Sequence, residues 1–385
     1  MAKPKLVRIT TVPLSIDKLL EGQLHYMAAH YEVVAVSSEA SYLKRVAERE
    51  GVRYHPVTMT RKITPFQDLK AVYQLYRFFR KEKPFIVHTH TPKAGLVGML
   101  AARLAGVPHR LHTVAGLPLL EATGIKRLIL NAVERLTAFC ASKVHPNSKA
   151  LCQIMIQERL APTQKLSVIG AGSSNGIATA HFSRHHFSAE TLAELRETIG
   201  LSSAFVFVFV GRLVADKGIH ELVAAFQALH EKGVACQLLL VGPLESELDP
   251  LHATTLEVIE QHPHIFTTGY QNDVRPYFAL ADALVFPSYR EGFPNVVLQA
   301  GAMGLPSIVS DINGCNEIIE HGVNGLIVPV KTVQPLFDAM YTLVMDVDLR
   351  NQMQANVRSS ITQRYEQQVI WEAILEEYRT FDRNE

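Results

Sequence analysis

Short, unbroken runs of apolar residues recur along this chain, and each is followed by a longer stretch of amphipathic spacing. In the first half the runs are KLVRIT (5–10), EVVAVSS (32–38), VRYHPV (52–57), FIVHTH (85–90), HRLHTV (109–114), SKVHPN (142–147) and KLSVIG (165–170). In the second they are FVFVFVG (205–211), CQLLLVG (236–242), IFTTG (265–269), ALVFPS (283–288), PSIVSD (306–311) and GLIVPV (325–330). A strand with one wet face alternates apolar and polar residues, whereas one covered by helices on both faces need not. The alternation of such strands with helices predicts an α/β chain built of two doubly wound domains with parallel sheets.

The helical stretches carry the matching period. In FQDLKAVYQLYRFFRKEK (66–83), Leu69, Val72, Tyr73, Tyr76 and Phe79 fall near one stripe with basic residues opposite. KGIHELVAAFQALHEKG (217–233) aligns Leu222, Ala225, Phe226 and Leu229 and ends on Gly233, a helix-stop residue.

Charge supports the division in two. Over all 385 residues, 38 Lys and Arg nearly balance 37 Asp and Glu. Residues 1–172, however, hold 25 basic and 11 acidic side chains, and residues 173–385 hold 13 and 26. The break falls in GAGSSNGIATAHF (170–182), where small residues interrupt the apolar pattern. The expected domains are 1–172 and 173–366. The amphipathic segment QQVIWEAILEEYRTF (367–381) is a candidate to pack back onto the first domain.

Composition removes several classes. With 48% hydrophobic and 19% charged residues the chain fills real cores. No apolar run approaches the roughly 20 residues needed to span a bilayer, and MAKPKLVRIT lacks a signal-peptide h-region. The four cysteines, Cys140, Cys152, Cys236 and Cys315, lie far apart and suggest neither a disulfide framework nor a zinc ribbon. A cytoplasmic protein is expected.

In open α/β sheets, ligands bind beyond the carboxyl ends of strands. Three such junctions in the second half stand out. VGRLVADKG (210–218) sets Arg212 and Lys217 at a helix entrance, suited to an anion such as a pyrophosphate. PSYREGFPNVVLQAGAMG (287–304) sets Glu291 in a loop before a helix, where free amides donate and a carboxylate accepts, as a polyhydroxyl ligand requires. SDINGCNEIIEHGVNG (310–325) is a Gly-rich turn before a helix carrying Glu317. Each has a plainer alternative, a solvated loop charge or a capping carboxylate.

Taken together, GRL…KG, REGFPNVVLQA and DINGCNEIIEHGVNGLIVP resemble the retaining glycosyltransferases of family 4, of GT-B fold. VHTHTPKAGLVGMLAARLAGVPHRLHTVAGLP (87–118) and SSNGI (173–177) are similar to the subgroup that builds bacterial polysaccharides and lipid-linked oligosaccharides. The resemblance implies two Rossmann-like domains facing a central cleft, with the acceptor in the first and the donor in the second. It implies that Arg212 and Lys217, beside Gly211, bind a nucleotide diphosphate. Glu291 with Gly292, Phe293, Pro294, Asn295 and Val296 would hold the donor sugar. The family's second acid, which grips the ribose, is here Gln299, a neutral amide with weaker acceptor capacity. His112 matches the family's catalytic histidine, with Gly116 allowing close backbone approach; its alternative is a core histidine.

The implied reaction moves a hexose or N-acetylhexosamine from a UDP-sugar to a saccharide or polyprenyl-diphosphate-saccharide acceptor, with retention and without a metal. Neither DVD (346–348) nor His88, His90, His109 and His112 is read as a metal site, and IGAGSSNG (169–176) lacks the helix opening of a dinucleotide site. The rival readings are a sugar-nucleotide epimerase of the same fold and a non-catalytic sugar-nucleotide-binding protein. Arg61, Lys62, Lys70, Arg77, Arg80, Lys81 and Lys83, interleaved with Tyr73, Tyr76, Phe78 and Phe79, suit peripheral contact with an anionic inner-membrane face. No nucleic-acid-binding motif accompanies this charge.

Overall fold

A computed structural model of the chain describes residues 3–382 except 61, 63, 246 and 248, so Arg61 lies outside the described residues. The chain divides into two compact units, Met1–Asn175 with Gln368–Glu385, and Gly176–Gln367.

The first unit holds β1 (Lys5–Ile9), β2 (Glu32–Ser37), β3 (Arg53–Pro56), β4 (Ile86–His90), β5 (His109–Val114) and β6 (Lys143–Pro146), in the order β3-β2-β1-β4-β5-β6. The second holds β7 (Phe205–Val210), β8 (Cys236–Val241), β9 (Ile265–Gly269), β10 (Ala283–Phe286), β11 (Ser307–Ser310) and β12 (Gly325–Val328), in the order β12-β11-β10-β7-β8-β9. All pairings are parallel. The interior strands β4 and β8 are buried at every position, which is why they read as unbroken runs. Two GT-B-type doubly wound sheets are thus present, as the strand–helix alternation predicts.

Successive residues of β1 feed opposite cores. Val7 and Ile9 join Leu75, Phe79 and Val97 on one face of the sheet. Leu6 packs on the other with Ile16, Leu24 and Ile86, together with Ile370, Ile374 and Tyr378 from the C-terminal helix Gln367–Asp382.

Two expectations change. The run 165–170 forms no strand; only Leu166 bridges Val144 of β6. Ser167 donates its N–H to the Val144 carbonyl at 3.2 Å, but the next rung needs an N–H from residue 146, which is proline. The His145 ring takes the Ser167 carbonyl instead, at 3.1 Å. The second change concerns helix Pro65–Glu82. Its buried stripe is Ala71, Leu75, Phe78 and Phe79, whereas Leu69 and Tyr73 are exposed. Phe78 and Phe79 are therefore core residues, unavailable for an aromatic–basic surface. Helix Ile219–Glu231 buries Leu222, Ala225, Phe226 and Leu229 as read from its period.

Candidate active site

In the second unit, the chain runs from β7 outward through β8 to β9, then returns to place β10 on the other side of β7. The crevice beyond the ends of β7 and β10 is thus where the strand order reverses, the usual ligand site of such sheets. Residues 211–218 and 287–294 line it.

The first of these loops leaves β7 through Gly211, makes a short 3₁₀ turn at Ala215–Lys217, and enters helix Ile219–Glu231 at Gly218. Gly218 has φ +71°, and a Cβ there would lie 2.2 Å from the Pro287 carbonyl oxygen. Only glycine lets the two loops touch. Gly242, after β8, plays the same part toward the first loop: its Cβ would fall 1.8 Å from the Gly211 carbonyl oxygen.

This close packing brings together groups far apart in sequence. The Lys217 ammonium pairs with the Glu291 carboxylate, and each side chain is only 17% exposed. Ser288 Oγ donates to the same carboxylate oxygen at 3.0 Å. Asn313, from the third loop, donates its side-chain N–H groups to the backbone carbonyls of Glu291 and Gly292, the latter at 3.1 Å. The thiol of buried Cys315 is pushed well up by burial, with Glu291 adding to the rise.

Arg212 stands apart from that pair. Its guanidinium donates to Glu245 at 2.5 Å, and this bond holds its pKa above the usual value. Glu245 was not among the residues singled out by sequence, and the one signal for it is its position after the apolar run that ends at Gly242. Arg290 pairs with Asp216 at 2.7 Å, which ties the second loop to the first.

Helix Asn295–Ala302 starts at Pro294 with no side-chain cap. Among the described residues, the backbone N–H groups of Gly292, Phe293, Asn295 and Val296 have no protein acceptor. They stand beside the Glu291 carboxylate, so the loop presents donors and an acceptor together. The half-buried Gln299 side chain, on the same helix, makes no hydrogen bond to the described protein.

In the first unit, Gly116 lies just past the end of β5, but His112 lies inside the strand. His112 is 3% exposed and shares a 2.8 Å hydrogen bond with Thr89 Oγ1. Its ring fills the space that Gly95 leaves on helix Pro92–Ala105, where a Cβ would be 2.4 Å from Cε1. Burial lowers its pKa to about 4, so it is neutral at physiological pH. These are the surroundings of a core histidine.

Sequence reading also passed over Arg8, a cation inside the apolar run of β1. It is fully buried and donates to Tyr378 Oη at 2.8 Å and to Gln23, with His90 Nε2 2.8 Å away. None of these partners is a carboxylate. His88 shares a 2.6 Å hydrogen bond with the same tyrosine, so the cluster fastens the C-terminal helix to β1 and β4.

Two doubly wound units, the second with a cation–carboxylate pair and open amides beyond its strand ends, have the architecture of the GT-B fold. The relatives make the assignment specific. Residues 20–172 match the family described as "Glycosyl transferase 4-like domain", and residues 204–346 match "Glycosyl transferases group 1". The chain is 34% identical over 382 residues to the capsular polysaccharide biosynthesis glycosyltransferase CapM of Staphylococcus aureus, covering 99% of this chain and 98% of that one. It is 32% identical over 369 residues to the UDP-Gal:α-D-GlcNAc-diphosphoundecaprenol α-1,3-galactosyltransferase of Escherichia coli, covering 93% and 90%. Its fold is similar to that of Anabaena HepE, crystallised with UDP, at a TM-score of 0.79 and 19% identity over 98% of this chain and all of that one. The chain belongs to the group 1 glycosyltransferases and is a glycosyltransferase. The epimerase and non-catalytic readings fall away.

Proposed function

We propose that the chain transfers a sugar from a nucleotide-diphosphate sugar, UDP-linked, to a hydroxyl of a lipid-linked saccharide or polysaccharide precursor, with retention at the anomeric carbon. The observation that carries this reading is the Lys217–Glu291 pair beside the N–H groups of Gly292, Phe293, Asn295 and Val296, which have no acceptor among the described residues. A UDP-linked donor is supported by the UDP-galactose in the Escherichia coli relative's name and is in keeping with the UDP of the Anabaena neighbour. The acceptor class is supported by the diphosphoundecaprenol-linked substrate in that relative's name.

In this reading residues 173–366 bind the donor and residues 1–172 the acceptor. Arg212 and Lys217 face the diphosphate, and Glu291 and the amides after it hold the sugar's hydroxyls. The bond from the anomeric carbon to the diphosphate oxygen breaks, leaving negative charge on the nucleotide. Fixed cations stabilise that charge more in the transition state than in the ground state. The acceptor oxygen attacks from the same face and passes its proton to the departing phosphate, which gives retention. His112, held in the core of the first unit by Thr89, takes a supporting place between β4 and β5 in this reading. The surplus of basic residues in the first unit suits peripheral contact with the anionic cytoplasmic face of a membrane, with Lys62, Lys70, Arg77, Arg80, Lys81 and Lys83 all exposed.

The test offers a panel of UDP- and GDP-sugars with a polyprenyl-diphosphate-sugar acceptor and determines the anomeric configuration of the product. A retained linkage from a UDP-sugar is expected. An inverted product, or transfer only from GDP-sugars, overturns the corresponding part of the proposal.

A further inference from the structure

A groove in the first unit, apart from the strand ends that carry the chemistry, is unused by the reaction. It encloses about 660 Å³ and is lined by Arg103, Arg135, Arg159 and Lys165 around an apolar floor of Phe139 and Leu160. None of its ten lining residues is acidic. It sits where helices Pro92–Ala105, Gly124–Cys140 and Lys149–Gln157 end, close to the starts of β5 and β6. It therefore lies at the amino-terminal ends of β5 and β6, away from the carboxyl ends of the first unit's own strands.

The cations are held by backbone oxygens. Lys165 donates to the carbonyls of Ala138 at 2.9 Å and Ala141 at 2.6 Å. Arg103 donates to the Phe139 carbonyl at 2.9 Å, and Arg135 to the Arg159 carbonyl at 3.2 Å. Carbonyl dipoles orient these groups without neutralising them. Lys165 is held below its usual pKa by burial and by nearby Arg103 and Arg110. The carboxylate of Glu158, next to Arg159 in the chain, is paired with Arg127 at 2.8 Å. The Arg159 side chain has no hydrogen bond or ion pair with the described protein.

An independent feature adjoins the groove. Helix Gly124–Cys140 turns outward Ile125, Leu128, Ile129, Leu136 and Phe139, which recur at three- and four-residue spacing along one stripe. Each is between 40% and 77% exposed. Its buried face is made of Glu134, Thr137, Ala138 and Cys140. Phe139 belongs to both features, with the Arg103 guanidinium 4.1 Å from its ring centroid. A helix with one apolar face in the open, beside a pocket of uncompensated cations, matches a surface whose headgroups are anionic and whose interior is hydrocarbon.

We propose that this groove takes the phosphate of an anionic phospholipid headgroup while the outward stripe of helix 124–140 lies in the interfacial layer of the membrane. This site does not depend on the donor or acceptor assigned above, because vesicle binding is read without any sugar nucleotide.

The test is flotation of the full-length chain with vesicles of phosphatidylcholine alone and with vesicles containing phosphatidylglycerol as well. Binding is expected only with the anionic lipid, and is expected to fall as salt rises. Arg159→Glu breaks no contact within the described protein and reverses one charge, so partitioning should drop roughly thirtyfold. Phe139→Ser should weaken it comparably, with unchanged thermal unfolding and unchanged transfer to a short-chain, water-soluble acceptor. Wild-type flotation by Arg159→Glu would place any membrane contact elsewhere and overturn the proposal. Equal binding to neutral vesicles would also overturn it, as would displacement by inorganic phosphate alone, which marks a free-phosphate site. A dimer in sedimentation that Leu136→Ser dissolves would show the stripe to be a contact between two copies, with the same result.

Discussion

Replacing Lys217 by alanine separates a catalytic cation from a structural ion pair. Lys217 and Glu291 are each 17% exposed and pair directly, with Ser288 Oγ as the second donor to the carboxylate at 3.0 Å. Removing the amine leaves a mostly buried carboxylate with a single neutral donor. That costs about 1–3 kcal/mol of stability, since the pair is only partly desolvated. The loss of a cation facing the leaving diphosphate costs at least about 2.7 kcal/mol in the transition state, a hundredfold in turnover. The two effects divide in a double-mutant cycle with Glu291→Gln. If the pair is merely structural, the double variant recovers both stability and activity. If Lys217 acts on the diphosphate, stability recovers and turnover stays low. The assay is nucleotide release at saturating donor, alongside urea unfolding of the same preparations. Turnover of Lys217→Ala within tenfold of wild type would refute the catalytic role.

Three further outcomes are expected. Gln299→Glu supplies two charged acceptors where the chain has one neutral carbonyl, so UDP affinity in calorimetry should rise by about tenfold if this position meets the ribose; unchanged affinity places the ribose elsewhere. Gly95→Ala drives a Cβ to 2.4 Å from the His112 ring, so the unfolding midpoint in urea should report about 1–3 kcal/mol of lost stability, while activity per folded molecule stays within a few-fold. Glu134 is buried with no cation paired to it among the described residues, and burial raises its pKa to about 7 from the usual 4.5. Between those two values the folded chain keeps a proton that the unfolded chain has lost, so stability falls as pH rises and levels off above about 7. The fall is roughly 3 kcal/mol. Glu134→Gln should flatten it, and urea unfolding at about pH 5 and about pH 8 checks this; an unchanged slope removes Glu134 as its source.

The strands were legible because both faces of each sheet are covered, and runs such as FVFVFV then announce themselves without partners. The failure at 165–170 is instructive: the run is apolar enough, but Pro146 on the neighbouring strand cannot donate the next rung. In helix 65–82 the apolar residues are dense enough to suit two stripes. Contact with the sheet selected Ala71, Leu75, Phe78 and Phe79 and left Leu69 and Tyr73 outside. The loops 210–218 and 287–295 were found because their spacing is local and their glycines and proline break helices. Glu245 and Gly242 were missed because the one mark on their segment is its place after the apolar run 236–242, which does not name a partner.

By itself, then, the sequence determined what depends on near neighbours: strand against helix, two doubly wound units, and loops bearing Arg212, Lys217 and Glu291 at strand ends. Tertiary structure decided which of those groups meet. Lys217 pairs with a residue 74 positions away and Arg212 with one 33 positions away, while His112 packs under a glycine of a preceding helix. The physical reason is that periodicity reports only the face a side chain takes on its own element. Charge partners and burial follow from strand order, which brings distant segments within hydrogen-bonding reach.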